Sequence, residues 1–416
     1  MLKDIFTKRQ DSFIPSFSLR GKVYRYLSIK LILFINRIWH SHRSSKDINR
    51  DSIKKVLIIH PQMAGDNVVA TPMIRNLAKQ LRRAKISFLT KGYSHAVLSG
   101  NPYITDYLFY DEKEEKSFLN WIKMIKRLRK EHFDCVIDTQ HQFSTIRRSL
   151  IPFLSGARYR VGFWRSKGFR GVFNTHEALY NSDKHGAYLF MDLIKAIGID
   201  IIDEQFEVYF KKQDVEAVSR MLKDAGLTDE DLIIGLHTGN VNKVKLWTEE
   251  KFAAVGDALV NLYGAHIILT GSAQDLPYLE LLSSRMKHKP LILAGKTTLP
   301  QLSALISRLD LLISIDTISI HIAAATDTPT VGIYGKTYIY KWVPWNKQKQ
   351  VIITGYHRCA GCWLGDYFDR IIPIDTKTNI CTLDYACIKD IPVDEVLDAA
   401  GELLRKHSVK IHSIVL

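Results

Sequence analysis

At 416 residues, with 46% hydrophobic and 24% charged side chains, the chain is too long for one core and too apolar for disorder, so two globular domains are expected. A net charge of +15 asks for an acidic partner: nucleic acid, an anionic membrane or a phosphorylated substrate. Five cysteines in a chain this size exclude a disulfide-built scaffold.

Residues 1–54 carry twelve Lys or Arg against four Asp, more than half of the surplus. Their longest apolar run, 31–35, is far shorter than the roughly 20 residues a spanning helix needs. It also comes late and lacks a small-residue cleavage site, which argues against a secretory signal. A basic helix with Leu27, Ile29, Leu31, Phe34, Ile35 and Trp39 near one side suits an anionic cytoplasmic leaflet. Packing of that helix on the protein itself is the alternative.

From Lys55 the chain alternates strand and helix, which predicts parallel sheets. Strands are expected at 56–60, 85–90 and 135–138, with helices at 72–83 and 119–130. The first strand ends in His60-Pro61-Gln62-Met63-Ala64-Gly65-Asp66. Asp66 therefore lies at the carboxyl end of a parallel strand, where open sheets place their ligands. It fits equally as the cap of the next helix or as a catalytic base. Further on, Arg147, Arg148, Arg158, Arg160, Arg165, Lys167 and Arg170 form a basic stretch suited to phosphate or carboxylate groups.

The alternation restarts after a charged stretch around Lys211 and Asp214. Strands are expected at 232–237, 266–270, 311–315 and 330–334, and helices at 248–262, 275–286, 299–308 and 319–325. Together the two runs predict two Rossmann-like domains with a cleft between them, divided as 1–54 extension, 55–205 and 206–416. The first strand of the second run ends in His237-Thr238-Gly239, followed by Lys243, Lys245 and Trp247. Thr238, Gly239 and Lys245 offer a hydroxyl, an approachable backbone and a cation to a phosphate; a solvated basic loop is the alternative. Asp275, beyond the turn Gly271-Ser272, is placed to accept ribose hydroxyls or simply to start a helix. The strand 311–315 ends at Asp316-Thr317, either of which is suited to cap the following helix, whose amino end favours a phosphate.

Cys135 lies in an apolar strand and reads as a buried small hydrophobe. Cys359, Cys362, Cys381 and Cys387 cluster late. Their spacing permits a structural zinc site, although five residues between the second pair weaken the match and free thiols in a loop fit better.

These motifs, in this order, resemble those of the bacterial ADP-heptose:lipopolysaccharide heptosyltransferases, glycosyltransferase family 9, from about Lys55 to Leu404. The segments that carry the likeness include VLIIHPQMAGDNVVATPMIRNLAKQ, FDCVIDTQ, IGLHTGNVNKVKLWTEEKF, ILTGSAQD and LLISIDTISIHIAAATDTPTVGIYG. The resemblance implies a GT-B architecture, with the amino domain holding the acceptor and the carboxyl domain the nucleotide sugar. It implies Asp66 as general base, Thr238 and Lys245 as diphosphate contacts, and Asp275 beside the ribose. Asp316, Thr317 and His321 match the donor-site signature. Where that signature usually has Gly-Pro, this chain has Ile318-Ser319, and a β-branched Ile318 resists positive φ, so the turn is expected to differ or the side chain to point away.

The expected reaction is inverting, metal-independent transfer of a sugar, heptose from ADP-heptose foremost, to a lipopolysaccharide core or similar anionic glycolipid, with no cofactor. The expected place is the inner face of the cytoplasmic membrane, as a peripheral protein. A different nucleotide sugar, or a non-catalytic nucleotide- or glycolipid-binding relative, is the alternative. Nucleic acid is not an expected partner, because it gives no reason for two diphosphate-type turns.

Overall fold

Runs such as VLII, LLISI and TVGIY show no polar alternation, the pattern of strands covered on both faces, and each is wholly buried within a parallel sheet. The computed structural model describes residues 48–110, 117–140, 146–164, 171, 173–239, 247–335, 337, 339–344, 349–355, 357, 374–375, 380–381 and 383–407. The expectation for the leader up to residue 47 lies outside the described residues.

The amino half runs β1 (Lys55–Ile59), α1 (Ala64–Val69), α2 (Thr71–Gln80), β2 (Lys85–Thr90), β3 (Asp106–Phe109), α3 (Phe118–Lys130), β4 (Cys135–Asp138), α4 (Ile146–Leu154), β5 (Tyr159–Trp164), β6 (His176–Leu179) and α5 (Gly186–Lys195). Its six parallel strands lie in the order β3-β2-β1-β4-β5-β6. The carboxyl half runs α6 (Lys212–Asp224), β7 (Ile233–His237), α7 (Glu249–Tyr263), β8 (His266–Thr270), α8 (Leu276–Arg285), β9 (Leu291–Ile292), α9 (Leu299–Ile306), β10 (Leu311–Ile315), α10 (Ile318–Ala325), β11 (Thr330–Tyr334), α11 (Ile339–Trp342) and β12 (Gln350–Thr354). A two-stranded ribbon, β13 (Ile374–Asp375) with β14 (Ile380–Cys381), follows, and then α12 (Ala386–Lys389) and α13 (Val393–His407). The second sheet has the order β12-β11-β10-β7-β8-β9. Counted within each half, both sheets follow the same doubly wound order, which puts a topological switch point between β1 and β4 and another between β7 and β10.

The strands expected at 85–90, 135–138, 266–270, 311–315 and 330–334 have those limits. The helix expected over 72–83 stops at Gln80, because Leu81 leaves the helical region at φ −98°, ψ 57°. Strands β3, β5, β6, β9 and β12 were not predicted; β3 and β6 each bury one residue of four and β9 buries neither of its two, so neither a buried run nor a clean alternation marks them.

The two halves share apolar packing. Val68, Val69 and Phe190 of the first belong to the same buried cluster as Ile306, Leu312 and Ile322 of the second. The segment between the halves is held to α2 by Arg75, 1% exposed, which pairs with Asp203 and Glu207 at 2.8 Å each and donates to the Gln205 carbonyl. Removing either carboxylate would leave part of a buried charge unmatched, a loss on the order of 3–5 kcal/mol for a fully broken pair. Trp247, next to a sequence-predicted phosphate turn, is instead wholly buried and donates from Nε1 to the Ile391 carbonyl at 2.9 Å, fixing the approach to α13.

Candidate active site between the two switch points

Strand β1 delivers His60, which is fully buried, its Nδ1 2.6 Å from Thr139 Oγ1 just after β4. Thr139 Oγ1 already donates to the Ile59 carbonyl, so the His60 proton sits on Nδ1. Burial lowers the His60 pKa to about 3, partly offset by the nearby backbone of Asp66. The turn after it leads into α1, where Asp66 is half-buried and its Oδ2 accepts from the Met63 N–H at 3.1 Å. Asp66 is the third residue of α1 rather than its N-cap, which is Met63, and its carboxylate satisfies that N-cap's backbone beyond the carboxyl end of β1. Asp138 closes β4, is 5% exposed, and its Oδ1 accepts from both the backbone and side-chain amides of Gln140. Sequence reading passed over Asp138 because it closes an apolar strand; its place at a strand's carboxyl end was the available signal.

The carboxyl half repeats the frame with different chemistry. His237, at the end of β7, bonds Thr270 Oγ1 at 2.8 Å, and burial lowers its pKa to about 4 while the Asp275 charge pulls the other way. Thr238 is fully buried, and its Oγ1 has no hydrogen-bond partner among the described residues. Gly239 has φ +68°, and a Cβ there would lie 2.6 Å from Thr317 Cγ2 and 2.9 Å from Ile315 Cδ1. Only glycine lets the two sides of this switch point close together. Lys243 and Lys245 lie outside the described residues.

Asp275 is 3% exposed; its Oδ2 accepts from the Ser272 N–H and hydroxyl, both at 2.7 Å, and its Oδ1 is buried without a partner. The helix-start role is therefore observed, with one acceptor atom left over. Asp316 accepts the Thr337 hydroxyl at 2.6 Å. Thr317 occupies the N-cap position of α10, but the expected cap bond is absent: its hydroxyl meets Ser319 Oγ at 2.6 Å, and Ser319 in turn meets Ser314 Oγ at 2.8 Å. The Thr317 side chain therefore leaves the first-turn amides of α10 to other acceptors. Ile318 is the first residue of this right-handed helix and has no positive φ, so the turn accommodates its β-branched side chain without strain. Ser319 is buried in the hydroxyl relay rather than turned towards a ligand.

The two crevices meet. A Cβ at Gly65 would lie 3.1 Å from His321 Cδ2 and 3.7 Å from Ile318 Cα, so the turn that carries Asp66 rests directly on α10. Beside them Phe206 lies 6.3 Å from the His321 ring. A second bridge forms at α11. His185 accepts the Ala187 N–H at Nδ1, which places its proton on Nε2, 2.8 Å from the Val343 carbonyl. Lys341, 7% exposed, donates to the Tyr180 hydroxyl and lies 5.0 Å from that ring's centroid. Sequence reading missed Lys341; its aromatic neighbours Tyr340 and Trp342 were the clue.

Of the basic stretch, Arg147 and Arg148 stand at the start of α4, near the amino crevice. Arg148 donates to the Tyr110 hydroxyl at 3.0 Å and Arg147 lies over Phe118. Arg158 and Arg160 lie instead at the amino end of β5, and Arg160 is engaged with the Ala157 and Phe173 carbonyls at 2.7 Å each. These two belong to the far edge of the sheet. Arg165, Lys167 and Arg170 lie outside the described residues, as do Cys359 and Cys362. Cys381 is half-buried and Cys387 buried, and among the described residues no three His, Cys, Asp or Glu side chains group as metal ligands. Cys135 is fully buried, which pushes its thiol up to about 12.

Two doubly wound sheets that meet where the Gly65-Asp66 turn rests on α10, with hydroxyls and a helix amino end on the second side, have the architecture of a GT-B glycosyltransferase. The sequence pattern of glycosyltransferase family 9 (heptosyltransferase) matches residues 121–363. The chain is 30% identical to lipopolysaccharide heptosyltransferase 3 of Escherichia coli K12 over 356 residues, 82% of this chain and 95% of that one. The chain belongs to this family. Its fold matches E. coli ADP-heptose lps heptosyltransferase II with a TM-score of 0.65 at 19% identity, covering 85% of this chain and 99% of that one. The iron-containing dodecameric glycosyltransferase TibC from enterotoxigenic E. coli matches at 0.50 and 13% identity, over 85% of this chain and 77% of the other.

Proposed function

We propose that the protein transfers heptose from ADP-heptose to a sugar hydroxyl of a lipopolysaccharide core or related anionic glycolipid, with inversion at the anomeric carbon and without a metal. The observation that carries this reading is the contact of the Gly65-Asp66 turn with His321 and Ile318, which puts a carboxylate of the amino crevice beside the helix start of the carboxyl crevice. An acceptor hydroxyl held in the amino crevice loses its proton to Asp66 as it attacks. The departing diphosphate is stabilised by the Thr238 hydroxyl, the first-turn amides of α10 and the Lys245 ammonium. The unpartnered Oδ1 of Asp275 accepts a ribose hydroxyl. The relatives support this donor: one is a lipopolysaccharide heptosyltransferase, and the chain shares its fold with an ADP-heptose enzyme. A basic, aromatic leader and the cationic crevice rim support action as a peripheral protein on the cytoplasmic leaflet. No helix among the described residues is long and apolar enough to cross a membrane.

Calorimetric binding of ADP, UDP, GDP and CMP at fixed salt without divalent metal tests the donor. Selective ADP binding is expected, followed by turnover of ADP-heptose on a core acceptor that survives EDTA. Preference for UDP or GDP would change the sugar, binding of none would point to a non-catalytic relative, and EDTA inhibition reversed by a metal would overturn the metal-free scheme.

A further inference from the structure

The large exposed apolar side chains of the two halves are distributed differently. In the carboxyl half Leu262, Leu281, Tyr340 and Leu383 are scattered over separate elements. In the amino half all of them but Ile202, in the segment that leads to the second half, stand at the carboxyl edge of the sheet. In spatial order across the strands these are Phe109 at the end of β3, Tyr93 after β2, Met63 after β1, Trp164 at the end of β5 and Leu179 at the end of β6, with exposures of 48, 60, 57, 37 and 69%. The strand spacing makes this row roughly 24 Å long. Phe118 and Leu119, 57 and 69% exposed, open α3 and extend it at the β3 end.

One position interrupts the row. At β4, between Met63 and Trp164, the chain presents buried Asp138 and Thr139. Met63, three residues before Asp66, brings the apolar row to the turn that carries that carboxylate. Soluble proteins rarely leave so many large apolar groups in one line without a partner.

Charge selects the partner. Lys91 lies 6.0 Å from the Tyr93 centroid and Arg147 lies 5.7 Å from that of Phe118, the arrangement of aromatic groups seated among cations. Helix α3, which opens at this edge, adds exposed Lys123 within its first two turns. An apolar row with a cationic surround matches an anionic lipid surface, in which the rings and aliphatic groups enter the acyl boundary and the cations meet headgroups.

We infer that the carboxyl edge of the amino-half sheet docks on an anionic phospholipid bilayer and presents the crevice at the Asp66 turn to the leaflet. This surface is separate from the leader. It deepens the peripheral-membrane part of the proposed function, because the acceptor then enters the crevice from the lipid side without leaving its bilayer.

The test uses the full chain with phosphatidylcholine vesicles, with and without phosphatidylglycerol. Hydroxyl-radical footprinting should show protection of Met63, Tyr93, Phe118 and Trp164 on phosphatidylglycerol vesicles, with Leu262 and Leu281 unchanged. A combined Tyr93→Ser, Phe109→Ser and Leu179→Ser variant should keep its ADP affinity and lose at least about tenfold in vesicle partitioning. Equal labelling of the edge with and without vesicles overturns the inference, even where the protein still sediments through its leader. Unaltered partitioning of the triple variant overturns it as well. Failure of ADP binding with a protected edge would remove the transferase reading and leave the surface standing; ADP binding with an unprotected edge would do the reverse.

Discussion

The two halves of this protein share one frame and differ in what they put at its opening. Each has six parallel strands in the same order, and in each the first strand ends in a buried neutral histidine bonded to a threonine hydroxyl, His60 to Thr139 and His237 to Thr270. Past that point the amino half offers Asp66 and Asp138, and the carboxyl half offers Thr238, Gly239 and the start of α10. A carboxylate suits a hydroxyl that must lose a proton, and it repels a diphosphate. Hydroxyls and helix amides suit the diphosphate, and none is basic enough to take the proton. The division of labour thus lies in the few residues after each strand, while the strands themselves are interchangeable in kind.

The largest effect should come from the amino crevice. Asp66→Asn keeps an acceptor for the Met63 N–H but removes the base, so turnover should fall by about 10³-fold, within the range of a lost general base, while ADP affinity stays within a few-fold. Unchanged turnover in a steady-state assay would take the base away from Asp66. The carboxyl crevice should answer in the opposite currency. Gly239→Ala forces a side chain into positive φ and to 2.6 Å from Thr317 Cγ2, a strain of about 1–3 kcal/mol. Calorimetry should show ADP affinity reduced by about tenfold or more, the equivalent of about 1.4 kcal/mol. Gly65→Ala is milder: its Cβ would meet His321 Cδ2 at 3.1 Å without a change of backbone region. A few tenths of an ångström of movement accommodates it, so a reduction in turnover of several-fold with little change in ADP affinity is expected, and an ADP defect as large as that of Gly239→Ala would mean that the two crevices are not separable.

Much of this arrangement was legible in the sequence, for identifiable reasons. The central strands are continuous apolar runs, and their limits follow from burial on both faces. Thr238 and Asp316 were singled out because each directly follows such a run, and Asp66 because it lies in the turn region beyond one. Asp138 satisfied the same rule and was missed, since a lone carboxylate after CVI looks like the polar end of any strand. Of Asp316 and Thr317, the two residues suited to cap α10, Thr317 takes the N-cap position but makes no cap bond, because Ser314 and Ser319, one on the strand and one on the helix, compete for its hydroxyl. Lys341 and Tyr180 lie 161 residues apart, and the apolar edge draws on the carboxyl ends of five strands. Neither is local in sequence, and both become visible only when strand order is known.

The smallest effect should be silent at neutral pH. His60 and His237 have folded pKa values lowered to about 3 and about 4 by burial, from a usual value near 6.5. Below 6.5 the unfolded chain takes up both protons and the folded chain takes up neither, so the stability these histidines contribute is fully present above pH 6.5 and declines as pH falls. At pH 5 both are still neutral in the fold, and each accounts for a loss of about 2 kcal/mol, 1.5 units at about 1.4 kcal/mol each. The two sites should therefore be indistinguishable at pH 5 and diverge only below about pH 4, where His237, helped by the Asp275 charge, begins to protonate in the folded state and its share of the loss levels off. An Asn at either position keeps a donor near Nδ1 for the threonine hydroxyl without the titration. Denaturant unfolding from pH 7 to pH 3 should show His60→Asn and His237→Asn flattening the acid limb equally down to pH 4, and His60→Asn flattening it further below. Activity at pH 7 should be close to that of the parent in both. An acid limb untouched by either change would mean that the two histidines are already charged in the fold and that the hydrogen bonds to Thr139 and Thr270 do not require the neutral ring.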